Sequence, residues 1–180
     1  RIPKSTVARR VADLEKRLAL QDIDGFIDYL ALENYLMQVS RVSLFGMITF
    51  GIVVPDMART FRASSVFEFE AAVSDFAEAI SETLKPESFF ASHAGEGHFV
   101  CVLTNSHTFA HEEFERQLSQ TVREMDLHFC DGRAISLLPV VGEGISLQLK
   151  SSRGISNALV QALQSAEERA MNPNAQNRAP

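Results

Sequence analysis

The chain has 180 residues, 46% of them hydrophobic and 22% charged, with thirteen Phe and no Trp, which suits one soluble domain able to bury its own core. Seventeen basic residues stand against twenty-three acidic ones, a formal charge of −6 with no Lys/Arg cluster, so the electrostatic term that binds a nucleic-acid backbone is missing. The longest mostly apolar stretch, Val42 to Val54, is interrupted by Ser43, Gly46, Thr49 and Gly51 and falls short of the ~20 residues of a membrane-spanning helix.

Arg1 is preceded by no initiator Met and followed by no signal-like region, so the chain reads as a cut from something longer. Ser5 or Thr6 can cap a helix whose Val7, Val11, Leu14 and Leu18 step by four, three and four, the spacing of a coiled-coil seam. Arg9 with Asp13 and Asp13 with Arg17 add i,i+4 pairs. The same pattern also suits a helix packed on its own domain. Gly25 breaks it, and a second helix follows with Ile27, Leu30, Tyr35, Leu36 and Val39 as a broad apolar face.

Val42 to Val54 is rich in β-branched and aromatic residues and too apolar for one wet face, which predicts a central strand covered on both sides and ended by Pro55. Val66, Phe69, Val73, Phe76, Ile80 and Leu84 recur at helical spacing up to Pro86, because the residue before proline avoids the helical region. Ser88 to Ser92 and His98 to Leu103 flank Gly95-Glu96-Gly97, a hairpin whose glycines supply positive φ. Phe114, Leu118, Val122 and Met125 mark another helix; Leu127 to Cys130 and Ala134 to Val141 flank Asp131-Gly132, a second hairpin signal. Ile155, Leu159, Leu163 and Ala166 mark a closing helix before the polar tail "MNPNAQNRAP", expected to be disordered.

After the leading helices the order is strand, helix, hairpin, helix, hairpin, helix. That pattern predicts an α+β fold of the ferredoxin-like or palm kind, a mostly antiparallel sheet with helices on one face. The expected organisation is a linker or coiled-coil helix over 1–23, a domain over 24–172 and a tail over 173–180. Cys101 and Cys130 are too few for a disulfide framework and read as small buried hydrophobes of a reducing compartment, the cytoplasm. His107 and His111 stand four apart beside Glu112 and Glu113, but with no third ligand they read as exposed histidines. Phe67, Phe69, Phe89 and Phe90 read as core.

The hairpin "GEGHF", Gly95, Glu96, Gly97, His98 and Phe99, follows a long helix ending "LKPES" and precedes a helix and a second hairpin signal. In order and spacing, from about Asp24 to Asn172, this resembles the GGDEF domain of diguanylate cyclases. "ALQSAEERAMN", Ala162 to Asn172, resembles that family's closing helix, and the leading seam resembles its signal-transmitting helix. The resemblance implies a domain that joins two GTP molecules into cyclic di-GMP across a dimer, with metal ions held between the end of the first strand and the hairpin. Mg²⁺ takes oxygen ligands, chiefly carboxylates. The third signature position, a metal-holding acid in active members, is Gly97, and the fourth is His98. Aligned through "VPDMAR", the other metal-ligand acid falls on Val54, with Asp56 two residues on.

Other positions depart in the same sense. The lysine expected to meet phosphate aligns with Glu167, and the Arg-x-x-Asp pattern of the product-binding site becomes Lys85 and Ser88, which lack the planar fork and the acid. Glu70 stands where active members keep an acid that reads guanine. The expectation is therefore a degenerate GGDEF domain of a bacterial signalling protein, without catalytic residues, metal or cofactor. It would act through a homodimer formed by the N-terminal helix or through a protein partner. The alternative is a receptor for cyclic di-GMP or GTP with a site rebuilt from Lys85, Ser88, Glu70 and Arg59.

Overall fold

The computed structural model describes residues 20–172. The predicted seam from Val7 to Leu18 and the tail over 173–180 lie outside the described residues. Gly25 takes a left-handed φ of 81° where the chain turns, and Asp28 then caps helix α1 (Tyr29–Gln38), its carboxylate accepting the Leu30 N–H at 3.0 Å. Leu32 and Leu36 are the buried residues of α1, whereas Leu30, expected on the apolar face, is exposed.

The apolar run divides. Ser43–Gly46 forms a 3₁₀ turn and only Ile48–Val53 is strand, β1, all six residues of which are buried. A short helix that the periodicity missed, α2 (Met57–Ala63), follows Pro55, with Asp56 at its N-cap position. Seven residues carry too few turns to show a periodic stripe. Ser65 and Glu68 form a capping box at the start of α3 (Val66–Leu84). Phe69 of α3 is core as expected, but Phe67 is 76% exposed, because it lies two residues before Phe69 and so on the opposite side of the helix.

β2 (Phe89–Gly95) and β3 (His98–Leu103) form the expected hairpin, closed by Gly95, Glu96 and Gly97 at φ of 99°, 48° and 79°. After α4 (His111–Glu124) the second predicted hairpin turns at Asp131-Gly132 but is reduced to a minimum. Its strands meet at one isolated bridge, His128 to Ala134, while the Asp131 carboxylate takes both the Arg133 N–H and the guanidinium, closing a local turn. Cys130 in that turn is exposed, not buried. The residues expected to continue it pair elsewhere: β4 (Val140–Val141) and β5 (Ile145–Ser146) both lie antiparallel along β1. The chain closes with α5 (Ser152–Met171).

The sheet runs β2-β3-β1, with β4 and β5 on the outer edge of β1, and every strand pairing is antiparallel. Helices cover both faces rather than one. Phe50, Ile52, Phe99 and Cys101 pack with α3 and α4, and the alternate residues Val100 and Val102 pack with Leu32 and Leu36 of α1 and Leu159 of α5. A β-strand sends successive side chains to opposite faces, so an apolar central strand demands two covers. The α+β class stands; the one-sided layering does not.

Candidate functional site

β1 ends beside the hairpin tip. Val53 is in register with His98, and one residue further the Val54 N–H donates to the Gly97 carbonyl at 2.9 Å. The two positions where the sequence resemblance puts metal-holding acids are therefore neighbours. Val54 is 1% exposed and packed in the core. A Cβ added to Gly97 would lie 2.6 Å from Met57 Cβ and 3.0 Å from the Val54 carbonyl oxygen. Met57, buried at the start of α2, fills the space a side chain from Gly97 would need. Asp56 forms an ion pair with Arg59 at 2.8 Å. A hard divalent cation needs oxygen donors, and the side chains of Val54 and Gly97 offer none, so these two residues do not fit the metal that the resemblance implies.

The rest of the signature is held by packing and by one side-chain contact. Phe99 is fully buried, its ring 5.2 Å from that of Phe76 and 6.4 Å from that of Phe26. Glu96 is exposed at the tip. His98 reaches across to α5, where its Nε2 meets a carboxylate oxygen of Glu167 at 2.8 Å and its Nδ1 faces the Gly95 carbonyl at 3.1 Å. Glu167, at the position of the expected phosphate-binding lysine, is thereby a partner of the hairpin.

Two of the residues named for a rebuilt ligand site lie far apart, and the others have partners of their own. Glu70 and Lys85 stand fifteen residues apart on one helix, about 22 Å along its axis at ~1.5 Å per residue. Arg59 is committed to Asp56, and Lys85 to Glu82, a contact that raises the ammonium above its ordinary value. Ser88 accepts hydrogen bonds from the Thr104 hydroxyl. His107 lies in a loop and His111 opens α4, so the two do not share a helical turn. Sequence reasoning missed Met57, whose only local signal is Pro55-Asp56 as a helix start. It also missed the half-buried pair of Glu115 and Arg169 at 2.9 Å, which joins α4 to α5.

Among known proteins, no family model and no curated protein matches the sequence. Solved structures do match. The diguanylate cyclase SiaD of Pseudomonas aeruginosa, solved in complex with its activator SiaC, superposes at a TM-score of 0.63 and 14% identity, over 91% of this chain and 66% of that one. The GGDEF domain of YfiN, also called TpbB, from the same organism superposes at 0.62 and 13% identity, over 79% of this chain and 90% of that one. The fold is that of a GGDEF domain. The coiled coil and GGDEF domain of DgcB from Caulobacter crescentus, in complex with cyclic di-GMP, matches at 0.57 and 11% identity over 91% of this chain and 90% of that one. Identities this low establish the GGDEF fold and leave activity to be argued from the site. This chain spans just under two thirds of the SiaD chain.

Proposed function

We propose that this is a GGDEF-type domain that makes no cyclic di-GMP and works by association, in cyclic di-GMP-related regulation in the bacterial cytoplasm. The observation that carries the reading is the pair Val54 and Gly97, joined by a 2.9 Å hydrogen bond at the place where the alignment calls for two carboxylates. Phosphoryl transfer needs metal ions to neutralise developing charge. A valine in the core, and a glycine whose side-chain space is taken by Met57, leave no ligand for them. The association is a homodimer through the predicted seam of Val7, Val11, Leu14 and Leu18, or a contact with another protein. SiaD, solved with an activator, is a protein of this fold with a protein partner.

The test is incubation of the chain with GTP and Mg²⁺ or Mn²⁺, followed by chromatography for cyclic di-GMP. No product above the blank is expected; turnover would overturn the reading. The receptor reading has one observation in its favour, the DgcB complex with cyclic di-GMP. Calorimetric titration with cyclic di-GMP, and separately with GTP plus Mg²⁺, distinguishes them. Saturable binding at micromolar concentration or tighter supports a receptor, and no heat with either ligand supports association alone.

A further inference from the structure

His98 opens β3 with its side chain on the sheet face that α5 covers, and it holds the hairpin tip through two contacts. One partner is the Glu167 carboxylate and the other the Gly95 carbonyl, and both are acceptors. A neutral imidazole has one N–H and one lone pair, so it can donate to only one of them; an imidazolium donates to both. The turn it closes places three successive residues at positive φ, Gly95, Glu96 and Gly97. For Glu96, at 48°, that conformation costs backbone energy and persists only when held from outside.

We propose that His98 and Glu167 form a proton-operated latch. With the ring doubly protonated, the tip is fastened to α5; loss of the proton releases Gly95, Glu96 and Gly97 and loosens the Val54 to Gly97 hydrogen bond beside them. The charged groups on the surrounding elements are few. Glu96 is at the tip, Asp56 and Arg59 pair with each other at the start of α2, and on α5 Glu168 lies next to Glu167 while Arg169 is bonded to Glu115 of α4. Among the described residues, Glu167 is the carboxylate within ion-pair distance of the ring. The two side chains are 24% and 41% exposed, so solvent screens the contact only in part. The latch goes beyond the association reading and holds whether or not the domain is catalytic.

Amide hydrogen exchange of Val54, Glu96, Gly97 and His98 in the full chain tests it between about pH 5 and 8, where imidazoles titrate. Rates are read as the ratio of Glu167→Gln to wild type, so that the intrinsic pH dependence cancels. At the acid end the variant should exchange severalfold faster, because the tip then loses its fastening to α5, and the ratio should fall towards one at the alkaline end. His98→Lys, which keeps a cation facing Glu167, should lose the pH dependence. A ratio that is flat with pH overturns the latch. Nitrogen shifts of the His98 ring give a second readout in the wild type: tip amides that stay slow after the ring has lost its proton overturn it as well.

Discussion

Gly51 of β1 lies directly beneath Ala162 of α5: a Cβ on Gly51 would sit 2.3 Å from the Ala162 carbonyl oxygen and 2.8 Å from Leu163 Cα. The atoms in the way are helix backbone, so they cannot swing aside as a side chain would. Gly51→Ala must push α5 off the strand, and a loss of about 2–4 kcal/mol is expected in urea unfolding, in the range of severe overpacking. Gly132→Ala, where nothing lies within 4 Å but φ is 84°, should cost only about 1–2 kcal/mol through its left-handed backbone.

Restoring the two acids should not restore a metal site. Val54→Asp buries a carboxylate in the core, and Gly97→Asp drives its Cβ into Met57 at 2.6 Å. The double variant is expected to lose about 3 kcal/mol or more, as an unpaired buried charge does, and to show no saturable Mn²⁺ binding by calorimetry. Tight Mn²⁺ binding by a folded double variant would show that Met57 yields.

Glu115 accepts from the Val141 N–H at 2.8 Å and from Arg169 at 2.9 Å, while Arg169 also donates to the Val141 carbonyl. The three residues tie α4, β4 and α5 together, with the Arg169 and Glu115 side chains partly buried. Glu115→Ala leaves a half-buried guanidinium and an amide without their acceptor, for an expected loss of about 1–3 kcal/mol in thermal or urea unfolding. Arg169→Lys should recover only part of the wild-type stability, since an ammonium lacks the planar fork.

Glu68 gives the chain an acid-dependent element. Its carboxylate accepts the Ser65 N–H at 2.8 Å and the Cys130 N–H at 3.1 Å. These bonds, with the Ser65 hydroxyl, hold it at about 2 rather than 4.5. The folded value lies below the unfolded one, so the contribution is present above 4.5 and is lost as pH falls towards 2. Glu68→Gln should therefore lower the urea midpoint at about pH 6 and match the wild type near pH 2. An equal difference at both pH values would assign the effect to packing instead.

The two thiols should differ sharply. Burial pushes the Cys101 thiol well up, and hydrogen bonding to Glu68 raises that of exposed Cys130. In the folded chain a maleimide should label Cys130 slowly and leave Cys101 untouched until denaturant is added, which mass spectrometry of the peptides reads directly.

Much of this protein was determined locally. The helical stripe from Phe69 to Leu84, the glycines that turn the β2–β3 hairpin and the apolar run of β1 each follow from a short-range period or from the φ that a residue tolerates. Those features are legible in the sequence, and with them the class of fold. The tertiary structure decided what no period encodes: that Val140–Val141 leave their predicted hairpin for β1, which helices cover which sheet face, and that Met57 stands where a side chain from Gly97 would go. A two-residue strand has no preference of its own strong enough to choose a partner, and an apolar residue carries no mark of the face it will join. Alignment could mark Val54 and Gly97 as the places to look. Only the antiparallel register of β1 on β3 set one against the other, because register fixes which residues of two distant strands come within reach, and only the packing of α5 on the sheet brought Glu167 to His98.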